Sequence, residues 1–498
     1  QKTYSVLDDY LKDLNEEQRK AVEDTEGPAL IIAGAGSGKT RVLTYRIAHL
    51  MRLGRRPSAI LALTFTNKAA REMKSRIAML TDETLSNYLW MGTFHSIFAK
   101  ILRIEHEAVG YPADYTIYDT QDTKNLIKAV VKELKLDPEL YKANELQSRI
   151  SWAKNNLITP VGYENHEEIR QQDVSRRKPF ISKVYRLYAK RCFQAGAMDF
   201  DDLLMQTNIL FRDHPKILEK YQQRFQYILV DEYQDTNHAQ YLILQKLAQA
   251  HHNICVVGDD AQSIYAFRGA RIENILNFTN NYPNHKLYKL ERNYRSTQTI
   301  VDAAKSLIAK NERQIPKNIF SRENTGNKIR VQSTISDIEE GYWVVDDIQQ
   351  IRLREHDDYA DFAILYRTNA QSRIFEEALR KHNIPYKIYG GLSFYQRKEV
   401  RDLLAYLRVV VNPKDDEALK RIINYPKRGI GQTTVLRLQA QAFQTDRSIW
   451  DVMTTEALKQ VNLNKRALNQ LGNFAGTIRH FQEYLADDAY NAAKKIAA

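Results

Sequence analysis

Cysteine is nearly absent: among 498 residues there are two, Cys192 and Cys255, far apart. That excludes a disulfide framework and leaves too few thiolates for a cysteine-only zinc site or an iron–sulfur cluster. Both thiols are expected to be buried and inert, as suits a reducing, cytoplasmic setting. Long apolar runs are missing too. Nothing approaches the roughly 18 residues of a spanning helix, and no basic-then-apolar leader opens the chain, so no membrane partner is expected. The first residue is Gln1 rather than Met, so residue 1 need not be a natural start. Fixed-period repeats, low-complexity tracts and long flexible linkers are also lacking.

Basic charge and apolar residues are plentiful. Lys and Arg number 73 against 61 Asp and Glu, a net charge of +12, which favours a polyanionic partner such as nucleic acid. Hydrophobic residues make up 43% of a chain too long for one core, so three or four structural units are expected.

The N-terminal portion alternates short apolar runs with amphipathic stretches. Ala29–Ala33 predicts a buried strand, Lys39–Leu50 a helix and Ile60–Phe65 a second strand. Residues from about 100 to 195 read as almost continuous helix, and strand character returns at Tyr227–Val230 and Ile254–Val257. The simplest fold is α/β, a parallel sheet flanked by helices with a helical block inserted into it. A second α/β unit is expected from near Leu287, with strands at Ile329–Gln332 and Phe362–Tyr366, and helix again from about residue 390.

Ala33-Gly-Ala35-Gly36-Ser37-Gly38-Lys39-Thr40 joins the first strand to the first long helix. Small residues let the backbone curl so that several N–H groups face one anion, and the helix N-terminus adds partial positive charge. Lys39 would reach the outer phosphates of a nucleotide, and the Thr40 hydroxyl would bind Mg²⁺. Ala33 stands where this pattern usually begins with Gly. Tyr227-Ile-Leu-Val-Asp231-Glu232 sets two carboxylates at the end of a buried strand. Downstream of a phosphate loop, Asp231 would hold the metal and Glu232 would orient and deprotonate the attacking water. The strand Ile254–Val257 leads to Gln262, whose amide could bond the terminal phosphate or the attacking water. Alone, each of these segments has an ordinary reading as a turn or solvated loop.

In order along the chain, further segments complete a pattern. They are Leu14-Asn-Glu-Glu-Gln18, Thr64-Phe-Thr-Asn-Lys-Ala-Ala70, Gly92-Thr-Phe-His95, Asp199-Phe-Asp-Asp-Leu203 and Asp231-Glu-Tyr-Gln-Asp235. The segment from Gln262 to Ala270 follows, then Leu290-Glu-Arg-Asn-Tyr294-Arg295-Ser296, Leu365-Tyr-Arg-Thr-Asn369-Ala-Gln-Ser-Arg373 and Gly390-Gly-Leu-Ser-Phe-Tyr395. In this order and spacing the chain resembles the UvrD/PcrA/Rep-type superfamily 1 DNA helicases over nearly its whole length.

The resemblance implies ATP and Mg²⁺ as cofactors and single-stranded DNA and single-strand/duplex junctions as partners, with repair or replication loading proteins beside them. Gln18 would pair with the adenine edge and Tyr294 would stack on its face. Arg41 and Arg295 would contact phosphate, Arg295 from across the cleft. Phe65, Phe200, Tyr265 and Phe267 would border the single-strand groove, where stacking suits a motor because every base has a flat face. Phe267 stands where many relatives carry Trp. His95, Arg268, Arg367 and Asn369 match polar contacts to the strand. Pro426-Lys427-Arg428-Gly429-Ile430-Gly431 resembles a duplex-gripping turn, in which Lys427 and Arg428 supply charge.

The implied architecture is two RecA-like lobes, each with a largely helical insertion. Residues 1–100 with 196–284 form the first lobe, 101–195 its insertion, 285–387 the first part of the second lobe and 388–498 the start of that lobe's insertion. No His-x-x-Lys-Gly-Leu-Glu-like or Tyr-Val-x-x-Thr-Arg-like segment of the family pattern is present, so the second lobe is expected to be incomplete, and a molecule ending at Ala498 to bind nucleotide weakly and unwind poorly. The implied activity is 3′-to-5′ translocation on single-stranded DNA and ATP-dependent unwinding, in repair or replication restart. The alternatives are the motor arm of a helicase-nuclease and an ATP-gated DNA-binding module without turnover. An RNA motor fits the Asp231–Asp235 and Asn293–Ser296 segments less well.

Overall fold

In the computed structural model, residues 10–322, 324–390 and 394–497 are described. Six strands, β1 (Ala29–Ala33), β2 (Ile60–Thr64), β3 (Trp90–Thr93), β6 (Tyr227–Val230), β7 (Ile254–Gly258) and β8 (Lys286–Leu290), form one sheet in the order β3-β2-β6-β7-β1-β8, and every pairing is parallel. The apolar runs are continuous rather than alternating because both faces are covered. Leu30, Ile32, Leu61, Leu63, Ile228 and Val230 enter the core on one face. Ala29, Ile31, Ile60, Ala62, Tyr227 and Leu229 enter the core on the other. That alternation is the period-two geometry of a strand.

Helices begin directly after the strands because capping residues stand there. Thr66 caps Asn67–Leu80, Thr93 caps Phe94–Ile104 and Asn237 caps His238–Ala248, each accepting a backbone N–H. The helical block between β3 and β6 has its own core, which includes Tyr118, Tyr163, Tyr185, Tyr188 and Cys192. Its neck is a short parallel clip, β4 (Thr116–Tyr118) on β5 (Ala197–Asp199). At its base Lys154, 1% exposed, bonds Asp199 and Asp202 at 2.7 Å each. Both cysteines are buried and unpaired. No helix among the described residues is long and apolar enough to cross a membrane.

Two readings of the sequence change. The strand near Leu287 does not open a second sheet: β8 pairs with β1 from Ala29↔Lys286 to Ala33↔Leu290, so the first sheet extends past residue 285. Ile329–Gln332 and Phe362–Tyr366 form no ladder, and Val331 and Leu365 are 91% and 93% exposed. Strand propensity is realised only against a neighbouring strand, and neither segment has one here. Within 322–390 the regular elements are the helices Asp337–Glu355 and Ser372–Lys381, with short 3₁₀ turns and a small core around Val345 and Leu379. The remaining short pair, β9 (Arg292–Asn293) on β10 (Phe320–Ser321), is also parallel. Of the segment Gly390 to Tyr395, positions 391–393 lie outside the described residues.

From residue 398 onward a second helical block runs through Lys398–Val411, Asp416–Ile422, Gln432–Gln444, Ile449–Thr454, Lys465–Asp487 and Ala489–Ala497 around one core. It abuts the first block. Arg408 bonds Asp122 at 2.8 Å and Asp415 at 2.7 Å, and the Asn412 amide donates to the Ala195 carbonyl at 2.9 Å.

Candidate nucleotide site and nucleic-acid groove

In a parallel sheet every strand delivers its following loop to the same edge, the usual place for ligands in α/β folds. Here β1 leads into residues 34–38, β2 into Phe65, β3 into His95, β6 into Asp231–Glu232 and β7 into residues 259–268.

The loop after β1 curls through two glycines in the left-handed region, Gly36 (φ 70°) and Gly38 (φ 87°), the latter at the N-cap of Lys39–Arg52. Close approach also demands glycine here. A methyl on Gly36 would come within 2.8 Å of Arg295 Cβ and of the Asn293 amide, and one on Gly38 within 2.9 Å of the Gln18 amide. Lys39 Nζ stands 3.2 Å from Glu232 Oε2, with the two side chains 10% and 34% exposed. Asp231 is 3% exposed and accepts the Glu232 N–H at 3.1 Å. Burial and the adjacent Glu232 charge push its carboxyl up to about 7, with Lys39 pulling the other way. Glu232 itself has φ 50°, a non-glycine residue in the left-handed region.

The second approach to this loop comes from residues 293–296. Asn293 donates to the Ala35 carbonyl at 2.7 Å, and the Tyr294 N–H to the Gly36 carbonyl at 2.9 Å. Asn293 Oδ1 in turn accepts the Arg295 and Ser296 N–H groups at 2.7 and 2.8 Å. Arg295 therefore springs from a turn that packs on the phosphate loop. The Tyr294 hydroxyl accepts from the Asn15 amide at 2.7 Å, and its ring lies under Arg292 at 4.5 Å. Gln18 is 2% exposed. Its Nε2 donates to the Ser37 carbonyl at 3.0 Å and its Oε1 accepts the Asn15 N–H, so its amide is engaged within the chain. Arg41 turns to the Asp13 carbonyl at 2.9 Å, over the Tyr45 ring. Thr40 opens the helix beside Lys39.

Gln262 Nε2 donates to Asp259 Oδ2 at 2.7 Å. The amide that touches the acidic pair is instead Gln234, 1% exposed, which donates to Glu232 Oε2 at 2.8 Å and accepts the Asp259 N–H at 3.0 Å. Lys317 also meets this region, bonding Asp259 at 3.1 Å and Asp260 at 2.5 Å. Sequence reasoning assigned neither residue a role. A glutamine following an acidic pair was the available signal for Gln234, whereas nothing local marks Lys317.

Beside this site lies a groove of about 890 Å³ lined by Phe65, His95, Phe200, Phe267 and Arg268, among others. Phe65 packs on Tyr265 (5.2 Å between centroids) and Tyr265 on Phe267 (5.9 Å), while Arg268 lies over both Tyr265 and Phe267. His95 meets Phe200 edge-on at 5.9 Å, and burial holds its imidazole below its ordinary value, hence neutral at pH 7. Phe267 and Phe200 are 78% and 50% exposed, far from a core environment. Arg367 and Asn369 are exposed and do not line this groove. At the turn after residue 425, Lys427 is exposed. The Arg428 guanidinium instead turns inward onto the Ile422 and Tyr425 carbonyls at 3.0 and 2.9 Å and the Phe474 ring.

A glycine loop at a helix N-terminus, faced by a lysine and an acidic pair on one edge of a parallel sheet, defines the P-loop nucleotide-binding class. The chain belongs to the UvrD/REP helicase family: residues 14–283 match the UvrD/REP helicase N-terminal domain and residues 288–474 the UvrD-like helicase C-terminal domain. It is 46% identical over 430 residues to the ATP-dependent DNA helicase PcrA of Leuconostoc citreum, covering 86% of this chain and 57% of that protein. It is 44% identical over 479 residues to that of Staphylococcus epidermidis and 43% to that of Staphylococcus aureus, each match covering 95% of this chain and 64% of the relative. The chain thus spans 57% to 64% of the length of these relatives.

Proposed function

We propose that the chain is the motor portion of an ATP-dependent DNA helicase that moves 3′ to 5′ along single-stranded DNA, in DNA repair or replication restart. The observation that carries this reading is the shared edge. The phosphate loop, the acidic pair and the groove residues Phe65, His95 and Phe267 all follow strands of one sheet, and Gln234 links Glu232 to the strand whose loop bears Phe267.

Lys39 would hold the outer phosphates, and Glu232 would accept the proton of the attacking water. Lys39 Nζ and Glu232 Oε2 lie 3.2 Å apart, so both side chains face one point. Thr40 and Asp231 would hold Mg²⁺. Among the described residues no group of three or more His, Cys, Asp or Glu stands together as a cage. Magnesium needs only one or two protein ligands beside its phosphates, which Thr40 and Asp231 would supply. The fit rests also on Asp231, a buried carboxyl whose proton affinity is raised where a cation would lower it. When bound, the ion supplies positive charge to the phosphates. Arg295, sprung from the 293–296 turn, would add charge as that turn closes on the loop. Phe65, Phe200, Tyr265 and Phe267 would stack bases without reading them, and Arg268 and His95 would bind the backbone or bases.

The test is ATP turnover with and without single-stranded DNA, followed by displacement of a bound block from the 3′ or the 5′ end of an oligonucleotide. Stimulated turnover with clearance of the 5′-end block is expected. Nucleotide binding without turnover would leave an ATP-gated binding module instead.

A further inference from the structure

One polar side chain, outside every motif discussed so far, stands where three elements meet. Asn155 closes the helix Ala143–Asn155 of the first helical block. Its Oδ1 accepts from the Asn237 amide at 2.6 Å, and its Nδ2 donates to Asp201 Oδ1 at 2.9 Å and to the Ser151 hydroxyl at 3.3 Å. Each partner belongs to something functional. Asp201 follows Phe200, the groove aromatic, within the first turn of Phe200–Asp213. Asn237 ends the segment that starts at the acidic pair. Between them, Asp235 N–H bonds the Glu232 carbonyl at 2.9 Å and the Thr236 hydroxyl bonds the Tyr233 carbonyl at 2.7 Å, so the segment is a stiff strip. The strip is also bonded to the loop carrying Phe267 and Arg268: Asn237 bridges Ala270, and Arg271 N–H donates to the Thr236 carbonyl at 2.9 Å. The neighbouring Asn156 Oδ1 accepts from Arg271. The end of one helix therefore grips both the strip behind Glu232 and the turn beneath Phe200.

The chemistry of the amide matters. Asn155 must accept at one end and donate at the other, because Asn237 offers an NH₂ group and Asp201 a carboxylate. Neither a hydrocarbon nor a carboxylate can do both. We propose that Asn155 is a positioning residue that transmits nucleotide-dependent movement of the 231–237 strip to Asp201 and so to Phe200, setting the grip on the strand. This rests on the motor reading above and deepens it. Asn155 lines the groove beside Phe200 and acts through its two partners. Coupling of this kind is a free energy between two sites, and cutting it leaves each site able to bind alone.

The test compares the unmodified chain with Asn155→Ala and Asn155→Asp. The aspartate has the same size and still accepts from Asn237, but sets a carboxylate against Asp201, so it tests the second link without opening a hole. Two readouts are taken: turnover with and without single-stranded DNA, and amide hydrogen exchange across residues 199–204 with and without magnesium and a non-hydrolysable ATP analogue. Basal turnover is expected to stay near that of the unmodified chain, while stimulation by DNA falls about ten-fold in both variants. The nucleotide-induced change in exchange at 199–204 is expected to disappear. The inference is overturned if Asn155→Asp keeps both full stimulation and the exchange response, if basal and stimulated turnover fall together, or if the unmodified chain shows no exchange response. Absent DNA stimulation in the unmodified chain would sink the motor reading, and the exchange experiment would then judge the Asn155 link by itself.

Discussion

Glu232 is held at φ 50°, a conformation that costs a non-glycine residue about 1–3 kcal/mol and persists only where the surroundings impose it. The surroundings here are Lys39 on one side and the Gln234 amide on the other. Glu232→Gln keeps the shape and removes the proposed base. Nucleotide affinity should survive while turnover falls by about 10²–10⁴, checked by equilibrium binding of a fluorescent nucleotide beside a phosphate-release assay. Lys39→Ala should cost at least about a hundred-fold in turnover, and hydrolysis still strongly stimulated by DNA would refute its placement at the phosphates. The phosphate loop and acidic pair were legible in sequence because their chemistry needs particular residues side by side in the chain. Gln234, Asn293 and Lys317 were assigned no role because their partners are Asp259, Ala35 and Asp260, brought near by folding alone.

Among the elements, β1, β2, β6 and β7 were readable because each is a short run buried on both faces, whereas the short β3, Trp90–Thr93, was not read as a strand. The segments at Ile329 and Phe362 also carry strand-forming residues but have no neighbour to pair with, and pairing is not a local property. The helix Phe200–Asp213 carries a different lesson at its start. Asp199 and Asp202 form its capping box, and both also bond Lys154. Burial and the Asp199 charge push Asp202 up to about 7, with Lys154 opposing. Its unfolded counterpart ionises near 4, so between about pH 4 and 7 the folded chain holds the extra proton and stability falls as pH rises. Asp202→Asn should therefore raise the melting temperature relative to the unmodified chain more at pH 8 than at pH 5.5. A difference of about 2–4 °C is expected by thermal denaturation followed with circular dichroism, and equal shifts at both pH values would contradict it. On the groove wall, Phe267→Ala should weaken single-strand binding by about 1–3 kcal/mol and leave nucleotide affinity unchanged, measured by fluorescence anisotropy of a labelled oligonucleotide.

For the whole molecule, the sequence pattern anticipated the α/β class and a helical block set into the sheet, and set the start of the second unit at residue 285, between the two family matches that end at 283 and begin at 288; it did not disclose that β8 pairs with β1 and adds to the first sheet. Nor did the pattern disclose that the two helical blocks touch. Arg408 sits between Asp122 and Asp415, so Arg408→Ala would leave two carboxylates facing one another across that contact. The loss should amount to about 1–3 kcal/mol and shift the blocks apart, seen as a lower transfer efficiency between dyes placed one on each block. An unchanged distance distribution would mean that other contacts hold them.

The β4–β5 clip also bears on how such a molecule could be trimmed. Thr116 and Ala197 are directly opposite one another, and adjacent strands run about 4.8 Å apart. The intervening stretch thus enters and leaves through one narrow stem, and a glycine or two joining Tyr115 to Ala197 would close the gap without cutting a strand of the six-stranded platform, although the contacts of Asn155 and Asp122 beyond the stem would go with it. Such a deletion would strip Asp199 and Asp202 of their lysine, so the shortened chain would keep its nucleotide cradle while the stem's anionic end sought protons or salt.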